Sequence, residues 1–181
     1  MKGNGNGIGT LMRKLYFYCI PTSRGRSEYI KKHKCLFHYV GDNVFWQPRQ
    51  LPADPELISI GDNVKISANV SFINHDINYY MLNTKYKTDC FQKKQGCIKI
   101  GNNVMIGSGC KIMPDVKIGD NCIIGANAVV TKDISDNSIA VGVPCRIIGK
   151  FDDFVEKQKQ IKWKTTEDLW VEFEEKRNQK V

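Results

Sequence analysis

From Ile100 the chain repeats every six residues, as IGNNVM, IGSGCK, IMPDVK, IGDNCI, IGANAV and VTKDIS. The first position of the blocks is Ile100, Ile106, Ile112, Ile118, Ile124 and Val130, all β-branched aliphatics. The second is Gly at 101, 107, 119 and 125, with Met113 and Thr131 as exceptions. The fifth is small or aliphatic: Val104, Cys110, Val116, Cys122, Ala128 and Ile134. Positions three and four are mostly polar, dominated by Asn and Asp. A period of six is not the 3.6 of an amphipathic helix. It is even, so residues four apart point to the same side of an extended chain. The polar pair and Gly supply turn conformations. Three blocks then close a triangular coil of about 18 residues, and coils stack at about 4.8 Å with aliphatic side chains filling the prism.

The same frame appears upstream as IGDNVK from Ile60 and ISANVS from Ile66, and runs into FINHDI at Phe72. A weaker copy, VGDNVF, starts at Val40. Ile60 and Ile100 are 40 residues apart, which is 36 + 4, so the frame is broken once. The insertion is placed at 77–97, INYYMLNTKYKTDCFQKKQGC, where the pattern vanishes. Residues 8–19 and 24–34 read as short helices able to cap the open end of the prism. After Gly149 the pattern turns helical, first as FDDFVEKQKQIKW and then as TTEDLWVEFEEKRNQK, which opens on a Thr–Asp capping signal. Leu169, Trp170 and Phe173 give that last helix an apolar stripe, expected to pack on a prism face or a neighbouring subunit. The expected divisions are a helical cap at 1–35, the coiled body at 36–149 with the insertion 77–97, and a helical extension at 150–181.

Composition limits the partners. Hydrophobic residues make up 41% of the 181, enough for a packed core. No run of 18 apolar residues exists, and the N-terminus lacks a small-residue cleavage site, so neither a membrane span nor a secretory signal is expected. Lys and Arg number 27 against 19 Asp and Glu, a net +8 that favours an anionic partner. The seven cysteines form no CxxC pair and read as reduced, mostly buried thiols of a cytoplasmic protein.

These blocks resemble the hexapeptide-repeat acyltransferases, and within them the maltose, galactoside and xenobiotic O-acetyltransferase group. The resemblance is strong over 58–149 and weak over 36–57, and its most specific stretch is IIGANAVVTKDISDNSIAVGVPCRIIGK, from Ile123 to Lys150. It implies a left-handed parallel β-helix with short N-terminal helices and C-terminal helices, and a homotrimer with each active site between two subunits. It implies acetyl-CoA as cosubstrate, with no metal, and transfer of the acetyl group to a hydroxyl of a sugar or glycan precursor. The family has its catalytic His at the end of a coil before a protruding loop. His75, in NHDI ahead of the insertion, matches that place, and the other two His, His33 and His38, precede the strong repeat.

The resemblance casts His75 as a general base in direct transfer, taking the proton of the acceptor hydroxyl and returning it to the departing thiolate. Imidazole titrates near neutrality and suits both steps. A backbone N–H of the next coil is the expected oxyanion donor. Asn74 and Asp76 alternate away from its face and carry no assigned role; a carbonyl or carboxylate is expected to fix the His tautomer. Carried over in the same way, Ser108 contacts acetyl-CoA and Ala126 offers backbone to the pantetheine arm. Thr131 and Lys132 lie near the nucleotide end, and Arg146 near the phosphates. Met105 stands where the group often has Trp, and Ser135 where it often has Pro. The insertion brings Tyr79, Tyr80 and Tyr86 beside Lys85, Lys87, Lys93 and Lys94, which suits a sugar, an anionic acceptor or a neighbouring subunit. An antibiotic or amino-sugar amine is the alternative acceptor. A zinc site of the γ-carbonic-anhydrase kind is disfavoured by the His spacing. A nucleic-acid scaffold has no recognition motif behind it.

Overall fold

The computed structural model describes residues 7–178. The reading of the extreme N-terminus rests partly on residues 1–6, and that of the last helix on Gln179 and Lys180, which lie outside that range. The chain divides into two compact units, Met1–Phe151 and Asp152–Val181.

The first unit opens with helices α1 (Gly7–Cys19) and α2 (Ser23–Lys32). Thr22 caps α2 by accepting the Gly25 N–H at 3.1 Å, and Lys31 and Lys32 sit at the negative end of the helix dipole. The first coil is β1 (Tyr39–Val40) and β2 (Phe45–Trp46). An irregular segment and a single 3-10 turn, Pro55–Leu57, lead to β3 (Ile58–Ile60), β4 (Lys65–Ile66) and β5 (Ser71–Phe72). After the insertion, which forms helix α3 (Asn78–Tyr86), come β6 (Ile98–Ile100), β7 (Val104–Ile106) and β8 (Lys111–Ile112). A fourth coil holds β9 (Val116–Ile118), β10 (Cys122–Ile124) and β11 (Val129–Val130). β12 (Ser138–Val141) starts a fifth, and β13 (Arg146–Lys150) turns back along it.

Three sheets form the walls, in the orders β1-β3-β6-β9, β13-β12-β10-β7-β4-β2 and β11-β8-β5. Every pairing between named strands is parallel except β12 with β13. This is the parallel β-helix that the period requires. The first positions of the blocks stack in register: Ile60 on Ile100 on Ile118, Ile66 on Ile106 on Ile124, and Phe72 on Ile112 on Val130. All nine side chains are buried, each worth about 1.5–3 kcal/mol of transfer free energy. Ile60 pairs directly with Ile100, so the 40-residue step holds one coil plus the insertion rather than 36 + 4.

The corner between the first two walls explains the polar pair. Asn43, Asn63, Asn103 and Asn121 take φ of 54–55°, the left-handed region that Asn tolerates because its side chain bonds locally. Their amides form a ladder, each Nδ2 donating to the next Oδ1 at 2.9–3.0 Å. Gly61 sits where coils touch: a Cβ there would lie 2.6 Å from the Gly101 carbonyl oxygen. In the first coil Trp46 is fully buried and stacks on Phe72 at 5.6 Å between ring centres. Its backbone N–H donates to Ser27 Oγ at 2.8 Å, which fastens α2 to the first coil.

Four cysteines, Cys19, Cys35, Cys90 and Cys97, are exposed, and only Cys110, Cys122 and Cys145 are buried; the expectation of mostly buried thiols is corrected. The exposed four lie on the helical cap or the insertion, outside the inward positions of the repeat. All seven are free. Burial pushes the three inner thiols up from their ordinary pKa.

The second unit carries most of α4 (Phe151–Lys159) and all of α5 (Thr166–Asn178). The capping signal forms as a reciprocal pair: Asp168 N–H donates to Thr165 Oγ1 at 3.1 Å, and Thr165 N–H to Asp168 Oδ2 at 3.0 Å. Among the described residues no helix is long and apolar enough to cross a membrane.

Candidate active site

β5 ends at Phe72, and the alternation of the strand continues past it. Phe72 and Asn74 point into the prism and His75 points out. Asn74 is 1% exposed, and its Nδ2 donates to the Gly96 carbonyl at 3.3 Å while Gly96 N–H donates to the Asn74 carbonyl at 2.7 Å. His75 and Gln95 add an antiparallel bridge. The insertion therefore leaves and rejoins the prism beside His75. Asp76 Oδ1 accepts from the Asn78 N–H at 3.2 Å, at the start of α3.

The group that orients the imidazole is Asp54. Its Oδ2 lies 2.5 Å from His75 Nδ1, and both side chains are largely covered. An ionised carboxylate only accepts, so Nδ1 carries the proton, and in the neutral ring the Nε2 lone pair is left free. Lys93 Nζ, from the returning arm of the insertion, stands 3.8 Å from the same carboxylate oxygen. Asp54 was not identified from the sequence. It lies in the aperiodic segment between β2 and β3, where the six-residue frame has no register. Chain order supports only the expectation that some carbonyl or carboxylate fixes the His tautomer, with nothing to single out Asp54.

The residues carried over for the cosubstrate fall on two edges of the third wall. Ser108 and Ala126 stack in successive coils, with the Asn127 N–H donating to the Ser108 carbonyl at 2.8 Å. A Cβ on Gly125 would meet Val141 at 2.7 Å, so the same edge climbs to Val141, whose partner on β13 is Arg146. Arg146 is exposed, with Nη1 donating to the Cys145 carbonyl at 2.9 Å. Ser108, Ala126 and Arg146 thus form one rising strip of open backbone ending in a cation. Thr131 and Lys132 sit across the wall, exposed at the end of β11. His75 follows β5 at that same far edge, two coils below. A single chain therefore brings together the strip, and separately the His75–Asp54 pair, but not both at one point. Met105 is 40% exposed on the second wall, between Lys65 and Ile123.

The alternative metal reading finds no constellation: among the described residues no group of three or more His, Cys, Asp or Glu is placed to hold an ion. His33 is engaged elsewhere, stacked on Tyr29 at 4.0 Å with Nδ1 2.8 Å from the Tyr29 carbonyl oxygen.

Comparison with known proteins fits this geometry. Residues 97–132 match the bacterial transferase hexapeptide (six repeats) family, and residues 58–71 match the hexapeptide repeat of succinyl-transferase. Galactoside O-acetyltransferase of Escherichia coli K12 is 41% identical over 122 residues, 64% of this chain but only 55% of the relative's length. A putative acetyltransferase of Staphylococcus aureus strain MRSA252 is 37% identical over 140 residues, 66% of this chain and 68% of the relative. A solved galactoside acetyltransferase in complex with coenzyme A superposes with a TM-score of 0.61 at 29% identity, covering 87% of this chain and 84% of that one. The stacked sextets, the lone outward His at a coil end and these likenesses agree: this chain belongs to the hexapeptide-repeat acyltransferase family.

Proposed function

We propose that the chain is an acetyl-CoA-dependent O-acetyltransferase that moves an acetyl group to a hydroxyl of a sugar or glycan precursor. The observation that carries this reading is the His75–Asp54 pair, which holds Nδ1–H on the carboxylate and frees Nε2. Acetyl-CoA supplies the activated thioester carbonyl. His75 takes the hydroxyl proton at Nε2 and gives it to the departing sulfur, so one side chain serves as base and then acid. Asp54 accepts the imidazolium charge as it forms. No protein nucleophile takes part, and the buried thiols of Cys110, Cys122 and Cys145 belong to packing.

The strip of Ser108, Ala126 and Arg146 suits an extended arm bonded to main chain, and Arg146 and Lys132 give its phosphates cations. The relative bound to coenzyme A has the same fold, and its acceptor class supports a sugar hydroxyl here. The separation of His75 from that strip supports a homotrimer in which the His75 edge of one subunit faces the strip of the next. Use of acetyl-CoA goes with a cytoplasmic site of action. In this reading 1–35 caps the prism, 36–149 carries the transferase site with the insertion 77–97 at its rim, and 150–181 is an extension outside the chemistry. His75→Ala should lower kcat by about 10²–10⁴ while coenzyme A still binds, measured by thiol release and calorimetry. Turnover near that of the wild type would end the assignment.

A further inference from the structure

Helix α1 turns its apolar residues outward. Among its described side chains only Phe17 is fully buried, edge-on to Tyr29 of α2 at 5.2 Å between ring centres. At about 100° per residue, Leu11, Met12 and Leu15 point within about 60° of the direction opposite Phe17. They are 66%, 60% and 56% exposed. Tyr16 and Tyr18 follow at about 80° on either side of this ridge, and both are exposed. Arg13 and Lys14 come next, one on each flank, about 120–140° from its crest. Lys14 and Tyr18 border a groove with residues 50–53 and β5, and Arg13 and Tyr16 border another with Tyr29 and His33; Leu11, Met12 and Leu15 line neither. A solvated surface helix ordinarily turns such a stripe to the core.

Charge indicates the partner. Residues 1–27 hold five Lys and Arg and no Asp or Glu, and Glu28 is the first acid of the chain. Among the described residues neither Arg13 nor Lys14 makes an ion pair. An apolar ridge bordered by tyrosines and then by cations suits a helix lying in a bilayer interface. The aliphatic side chains enter the acyl region, the phenols sit among the headgroups, and the long basic side chains reach the phosphates. A second copy seated on this face by a two-fold axis would instead set Arg13 and Lys14 against like charges. At about 1.5 Å per residue α1 reaches only ~20 Å, short of the ~30 Å hydrocarbon core, so it would lie on the surface and not cross it.

We infer that the outer face of α1 docks the protein on an anionic phospholipid surface. This goes beyond the transferase reading and does not depend on it.

The test is sedimentation of the full chain with vesicles of phosphatidylcholine alone and of phosphatidylcholine mixed equally with phosphatidylglycerol. Its mass without vesicles is followed by sedimentation equilibrium. Partition onto the anionic vesicles should be stronger by about tenfold or more, and should weaken as salt rises. Leu11→Gln with Leu15→Gln, and separately Arg13→Gln with Lys14→Gln, should each cut it about tenfold or more, with the mass of the chain and its urea midpoint unchanged. No partition onto anionic vesicles, equal partition onto both kinds, or partition that survives either pair of substitutions would overturn the inference. A leucine pair that lowers the mass of the chain makes the face a contact between copies and overturns it as well.

Discussion

At the scale of single residues the proposed chemistry turns on which nitrogen of His75 holds its proton. Asp54 holds Nδ1 by contact, so Asp54→Asn leaves the ring in place and removes the negative charge that would stabilise the developing imidazolium. The expected loss is about 10–10³ in kcat with little change in the KM for acetyl-CoA, and Asp54→Glu should recover part of it. A rise in KM without loss of kcat in steady-state kinetics would reduce Asp54 to a packing residue. His75 is proposed from the sequence because NHDI ahead of the insertion matches the place of the family's catalytic His, with no other His inside the strong repeat. Asp54 could not be, since the segment holding it obeys no period and meets His75 only through the fold. Lys93 was visible as one of several cations in the insertion, but nothing in the chain order singles out the one that reaches the carboxylate.

Among the elements, the corners decide how closely coils stack. Gly61→Ala should cost about 1–3 kcal/mol in urea unfolding, because the new methyl meets the Gly101 carbonyl oxygen, which cannot swing aside. Gly149→Ala, with nothing within 4 Å of the added carbon, is the matched control and should be near neutral. Equal midpoints for the two would remove close backbone approach as the reason for Gly at this corner. The strands were legible because stacking forces the same inward residue at each step, a constraint written directly into the order of residues. The helix α3 was not: NYYMLNTKY has no clean apolar stripe, and its ends are set by contacts across the insertion, with Asn83 holding Phe91 through both its N–H and its carbonyl. The two N-terminal helices were readable, over 8–19 and 24–34 against the observed Gly7–Cys19 and Ser23–Lys32, from their Leu, Tyr, Lys and Arg content.

For the molecule as a whole, the division of the candidate residues between two edges makes assembly part of the proposed chemistry. His75→Ala and Arg146→Ala chains, each poorly active, should recover activity when unfolded together and refolded as a mixture, because a mixed trimer contains an interface with both residues intact. No recovery, with trimers confirmed by sedimentation, would place the complete site within one subunit. The turn of the chain at β13 has a wider consequence. A stack of parallel coils offers its last strand as a template for the first strand of another molecule, and repetition of that contact would build a filament. β13 runs the opposite way along β12 and occupies that template in the second wall with a strand of wrong polarity, and α2 lies against β2 at the other end. Head-to-tail addition on this wall is thereby opposed at both of its ends.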